Sequence, residues 1–432
     1  MSLSRRGLTR RGLLRAGLAT TLGTALGGLA AGCAVPSGST GRQMTLWYWG
    51  GGLSDPIVAE AKKRFTQVQL EPLQIGGSFR SKLMTTLVGR AHAPDITGLK
   101  GEDMASYLPN ADQFMDLNTL GAKKLKSQYL DWKWAQGTTD DGRQIGFPID
   151  TGPCGHIYRV DTFEKAGLPT EPDDVSQAMG TWEGYFVAGE QLAKKIKGSY
   201  LIADPLAVFA QAVAQTPKRF VDKDRNFIGD QEHVTHAWDL ALEAIRRGLV
   251  SKYVNGTVDT TSAQEAGKLP SVIGASWIGG DLKSMMPKTK GKWRVAALPG
   301  GPANDGGSFL AISKYCRDPE TAFEIITWLL GPENQTKAFA RASLFPSTPA
   351  SYTMPAMRDP DPFFGGQRTI DVYGPAAKAV PVAYNSPYDT SLNQPIKDEL
   401  TSVFTSGKNP KKAWRDAMDA CHRIADHLGV AV

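Results

Sequence analysis

The chain has 432 residues, with 49 Lys and Arg against 43 Asp and Glu and a formal charge of +6. Five of the arginines (Arg5, Arg6, Arg10, Arg11 and Arg15) precede the first cysteine, Cys33, with no acid among them, which leaves 44 basic against 43 acidic residues in the remainder. A near-neutral remainder removes the electrostatic case for a nucleic-acid partner, and the three later cysteines (Cys154, Cys316, Cys421) are too few and odd for a disulfide framework.

The first segment in chain order is a leader. "LTRRGLLRAG" carries positive charge, and residues 16–32 follow with none, in small side chains and a run too short for a comfortable membrane span. Thr9 to Arg15 resembles a twin-arginine export signal, with Leu for the usual Phe and Arg for the usual Lys. "LAAGC" resembles a lipobox, with Ala30 where Leu is commoner. The resemblance implies removal of residues 1–32 and a lipid on Cys33. Residues 33–43 would then be a lipidated tether, placing the protein at the outer face of the cytoplasmic membrane.

Beyond the tether, short apolar strands alternate with amphipathic helices, which predicts α/β layers. "MTLWYW" reads as a strand, with Asp55 and Pro56 as N-cap and first residue of a helix bearing Ile57, Ala61 and Phe65 on one face. "VQLEPLQI" and "PDITGL" read as strands around a helix with Phe79, Leu83 and Leu87 in register. Further helices are expected at "TWEGYFVAGEQLAKKI", "HVTHAWDLALEAIRRGLV", "DPETAFEIITWLLG" and "PKKAWRDAMDACHRIADHL". Strands are expected at "GHIYR", "PSVIGASW", "KWRVAALP" and "GSFLAIS". The turn-rich stretches 147–153, 298–307 and 343–349 look like crossings between two domains.

Several of these segments together resemble the solute-binding proteins of bacterial ABC importers, in the group that includes sugar binders. "TLWYWGGGLSDPIVAEAKKRF" is similar to the family's opening strand, glycine turn and first helix, and "GRAHAPDI" to its Pro-Asp step. "GRQIGFPIDTGPCGHIYRVDTFEKAGL" is similar to the crossing into a second lobe, with Arg159 where Asn is common. "ASWIGGDLKS" and the stretch from "VAALPGGPANDGG" onward are similar to the return. The resemblance implies two α/β lobes of the periplasmic-binding-protein type, joined by hinge strands around a ligand cleft. The lobes are expected at 44–149 with 303–344, and at 150–302 with 345–432. It further implies a monomer that captures a carbohydrate by lobe closure and hands it to ABC permease subunits, with no catalysis, cofactor or metal.

A sugar site needs flat aromatic faces for C–H patches and carboxylates or backbone groups for hydroxyls. In the first strand Trp47 and Trp49 share a face opposite Tyr48, and Trp49, nearer the strand's carboxyl end, is the better candidate for the pocket. Gly50, Gly51 and Gly52 would let a ligand meet backbone N–H groups. Trp277 matches the family position at which an aromatic residue of the second lobe stacks on sugar. Asp150 on the first crossing, Glu102 and Asp103 after "PDITGL", and Gly306, Gly307 and Ser308 before a strand are further candidates, each with a plain structural alternative. Phe345 and Arg341 stand near the third crossing. Trp182, Trp238, Trp328 and Trp414 lie in amphipathic helices and are expected in the core.

Other constellations are weak. "DKDRNFIGDQE" lacks the Gly and final Glu of a calcium loop and reads as a surface hairpin. His233 and His236 lack a third ligand nearby. The rivals are a secreted polysaccharide-acting enzyme, for which no carboxylate pair is marked, and the same fold with a non-sugar ligand. A polyamine would need several converging acids, which are not evident near the candidate positions.

Overall fold

The computed structural model describes residues 42–90, 92–253 and 257–432. The leader, the lipidation position Cys33 and almost all of the tether lie outside these residues. Among the described residues no helix is long and apolar enough to cross a membrane, and the three cysteines are free thiols.

Among the described residues ten strands make three sheets. The first, in the order β2 (Val68–Gln74), β1 (Arg42–Tyr48), β3 (Ile96–Leu99), β9 (Phe309–Ile312), β4 (Phe147–Pro148), is parallel from β2 to β3 and antiparallel at β9. The alternation of β1 sorts its side chains: Met44, Leu46 and Tyr48 pack with Ile57, Val58 and Phe323 on one face. Trp47 and Trp49 pack with Phe79 and Tyr107 on the other. Helices Asp55–Arg64 and Pro319–Leu329 cover the first face and helix Phe79–Gly89 the second. The N-cap position of the first helix is Ser54, one residue before the expected Asp55. Ser54 O accepts the first helical N–H groups, from Ile57 (2.9 Å) and Val58 (3.0 Å), while the Asp55 carboxylate accepts Tyr48 OH (3.0 Å).

The second sheet, β7 (Ser271–Ala275), β6 (Cys154–Arg159), β8 (Trp293–Ala297), is wholly antiparallel. Its central strand is buried throughout. Tyr158 and Cys154 meet a helical layer that includes Trp182, Trp238 and the chain's last two helices, Asp389–Ser406 and Pro410–Leu428. Ile157 and Val295 meet an aromatic layer around Tyr373 on the opposite face.

Three segments run between these sheets, at the turn-rich stretches. Within thirteen residues the chain leaves the first sheet at β4, passes through β5 (Asp150–Thr151) and enters β6. The return from β8 to β9 runs antiparallel beside it: Cys154 N donates to Ala303 O (2.9 Å), Asp305 N to Gly152 O (2.9 Å) and Ile149 N to Ser308 O (2.8 Å). On the other side β10 (Phe345–Pro346) pairs with β5. "DKDRNFIGDQE" forms a tight turn after an isolated Val221–Phe227 bridge, with Asp222 accepting from the backbone of Asp224 and Asn226.

Candidate functional site

The crossings form the floor of a cleft of about 970 Å³ between the two sheets. One wall grows from the carboxyl ends of the parallel strands β1 and β3, where open α/β sheets place their ligands. Trp49 follows β1, and Lys100 and Glu102 follow β3; all three line the cleft. The glycines after Trp49 answer to its ring. A Cβ at Gly52 would stand 2.6 Å from the indole Cε2, and one at Gly98 2.6 Å from Cζ3. The indole is therefore seated between two stretches of bare backbone, with Phe79 edge-on at 5.2 Å and Lys100 Nζ 5.4 Å from the ring centroid. Gly52 N closes the turn onto Trp49 O (2.9 Å), and Gly50, Gly51 and Gly52 all line the cleft.

The opposite wall follows β7. Trp277, 38% exposed, precedes helix Ile278–Met285, and its Nε1 donates to Asp305 O (3.2 Å). Asp281, one turn on, and Asp305 also line the cleft, and neither forms an ion pair among the described residues. Burial raises the carboxyl pKa of both, and for Asp305 the charge of Glu102 adds to the rise. Asp305 keeps a solvent-exposed surface while protein crowds it on several sides, as a concave wall requires.

At the floor, Asp150 is buried and its Oδ1 accepts Ser308 N at 2.7 Å, joining the two crossings. Gly306 and Gly307 both take positive φ (85° and 82°), and a Cβ on Gly307 would lie 2.7 Å from Asp150 O, so only glycine fits there. Beneath them lies Lys133, fully buried in helix Asp131–Gln136, with Nζ donating to Gly307 O (2.7 Å) and resting 3.7 Å from the Phe309 ring centroid. Burial pulls the ammonium pKa down and pushes that of Asp150 up, while the attraction between the two opposes both shifts.

The structure thus gathers Trp49, Gly50, Gly51, Glu102, Asp150, Trp277, Gly307 and Ser308 around one cleft, and Arg341 at its rim. Phe345 is a correction. It is fully buried among Phe339, Tyr352 and Tyr373, because β10 is covered by aromatic rings on its way between the sheets. The absence of converging acids is a second correction, since Glu102, Asp150, Asp281 and Asp305 all line the cleft. Sequence reasoning missed Lys133, Asp281 and Asp305. The Gly279–Gly280 pair disguised the helix carrying Asp281, and a lysine between Trp132 and Trp134 was the available sign that Lys133 is buried. Among the described residues no cluster of His, Cys, Asp and Glu could hold a metal ion.

Residues 57–363 match the family model described as bacterial extracellular solute-binding protein. A probable ABC transporter-binding protein of Deinococcus radiodurans is 28% identical over 356 residues, 76% of this chain and 81% of that protein. Among solved structures, an extracellular solute-binding protein of family 1 superposes with a TM-score of 0.82 at 28% identity, covering 89% of this chain and all of that one. The galacto-N-biose/lacto-N-biose I-binding protein of the ABC transporter from Bifidobacterium longum, solved with lacto-N-biose, has a TM-score of 0.75 at 18% identity, covering 91% of this chain and 99% of its own. With a fold of two sheets about a cleft and a match over most of its length, the chain belongs to the bacterial extracellular solute-binding proteins.

Proposed function

We propose that this protein captures a carbohydrate in the cleft between its sheets and delivers it to the permease of an ABC importer. The observation that carries this reading is the pair of tryptophans, Trp49 and Trp277, which line one cleft from opposite sheets above a floor of Asp150 and glycine backbone. Indole faces suit the C–H surfaces of a sugar ring, and the carboxylate and backbone groups suit its hydroxyls. The solved relative with lacto-N-biose supports the same ligand class. Closure of the two lobes on the ligand, with lobe boundaries at the three crossings, follows if the ligand binds the closed form better. Cys33 would hold the protein at the membrane by a lipid, and no bond in the ligand is broken.

A second reading is favoured by the four carboxyl side chains of the cleft: a solute bearing a basic nitrogen, such as an amino sugar or a polyamine. Thermal-shift measurements on residues 33–432 against neutral sugars, amino sugars and spermidine separate the two, because a ligand raises the melting temperature by mass action. Stabilisation by a neutral sugar, lost in Trp277→Ala, is the expected result. Stabilisation by spermidine alone would replace the carbohydrate reading, and cleavage of an oligosaccharide would replace the binding reading altogether.

A further inference from the structure

A second crevice of about 310 Å³ opens on the far side of Trp277. Trp277 and Asp281 line both it and the main cleft, so the indole is the partition between them. The crevice walls are mostly apolar, with Leu201, Ile202, Val272, Ile273, Ile278 and Leu282 in the lining beside the polar Asp204, Thr260, Thr261 and Gln264. Of the hydroxyls in its lining, Tyr185 OH and Ser271 Oγ are bonded to each other at 2.9 Å. At its edge Met285 is 53% exposed, a large apolar side chain left to solvent next to a binding cleft.

Resting on the carbohydrate reading above, we infer that the natural ligand is a glycoside with an apolar aglycone, whose sugar occupies the main cleft and whose aryl or short alkyl group enters this crevice past Trp277. The crevice suits a sugar less than the main cleft does, since apolar side chains make up most of its lining. The polar Asp204, Thr260, Thr261 and Gln264 come from the start of helix Pro205–Ala214 and from helix Val258–Glu265. An apolar cavity of about 150 Å³ is enough for benzene, so a phenyl ring fits with room for substituents. Continuity through Trp277 makes the two compartments one site: a ring stacked on the indole on the cleft side has its substituent at the partition.

The test compares methyl and phenyl glycosides of the same sugars (glucose, galactose, N-acetylglucosamine and maltose, in both anomers) by titration calorimetry on residues 33–432. For the sugar that binds, the phenyl glycoside is expected to bind at least tenfold more tightly than the methyl glycoside. Ala207→Phe, which fills the crevice from a position outside the main cleft, is expected to abolish that gain and leave methyl-glycoside affinity unchanged. Met285→Glu, on an exposed side chain that threatens folding less, should cut the gain as well. Equal binding of the two glycosides, or a gain that survives both substitutions, overturns the aglycone site while leaving the carbohydrate reading standing. No binding by any glycoside overturns that reading and this inference together.

Discussion

At the scale of single residues, the seat of Trp49 is the most sensitive point of the cleft. Gly52→Ala forces the indole to move, and overpacking of this kind costs about 1–3 kcal/mol. The expected outcome is a lowered melting temperature and at least tenfold weaker ligand binding. Gly50→Ala, whose Cβ would meet only Gln74 Oε1 at 3.8 Å, should leave stability near that of the parent. Both are read by thermal denaturation with and without the stabilising sugar. A different residue governs the response to acid. His156 is fully buried, with Nε2 2.9 Å from Ser271 Oγ, and burial pulls its pKa down to about 3. The unfolded chain takes up a proton near pH 6.5 that the folded one refuses, so stability rises with pH between about 3 and 6.5 and is lost as pH falls. His156→Leu leaves Ser271 its bond to Tyr185. The variant should lose about 3 kcal/mol less than the parent between pH 7.5 and pH 4.5 in denaturant titrations. Asp389, raised to about 6 by burial, acts in the opposite direction, but in parent and variant alike.

At the scale of elements, helix Asp131–Gln136 fastens the two halves. It leaves the first half of the chain, yet Trp132 packs beside Phe345 and Tyr373 and donates its Nε1 to Ala377 O at 3.0 Å. Trp132→Phe removes that bond and part of the ring, so a loss of about 1–3 kcal/mol is expected in guanidinium unfolding. The seven longer strands and helices such as Trp182–Lys195, Glu232–Arg246 and Pro410–Leu428 were legible in the sequence because each buries one face, and burial writes a period of two or 3.6 into the residues. Helix Asp389–Ser406, with Pro395 inside it, was not expected. Helix Pro205–Ala214 is apolar nearly all round, and Ile278–Met285 opens on two glycines, so neither carries that signature. The same logic divides the site. Trp49 could be placed because it stands at a strand's carboxyl end, and Trp277 because the segment around it resembles the family's second-lobe aromatic position. Lys133, Asp281 and Asp305 gain their positions from crossings and a disguised helix, which only three-dimensional folding brings together. Phe345 was misplaced because an aromatic residue beside a cleft and one packed behind it look alike in one dimension.

At the scale of the whole molecule, the fold divides its labour between two differently built sheets, a mixed one covered by helices on both faces and a small antiparallel one backed by the chain's last helices. Closure of one on the other predicts a smaller radius of gyration when the stabilising sugar is added. Small-angle scattering should register this contraction in the parent and miss it in Trp277→Ala. An unchanged radius in the parent at saturating sugar would mean that binding occurs without closure.

The laddered crossings set what kind of movement is available. Asp150–Thr151 is the middle ply of three, bonded to residues 303–308 on one side and to Phe345–Pro346 on the other. Such a laminate flexes across its width but resists shear, because sliding one ply past the next breaks several hydrogen bonds at about 1 kcal/mol each. The sheets can therefore rock together while keeping their lateral register, which makes the cleft a caliper with one adjustable dimension. Ligands should then be sorted by thickness between the two indoles with some tolerance, and by length along the floor with very little.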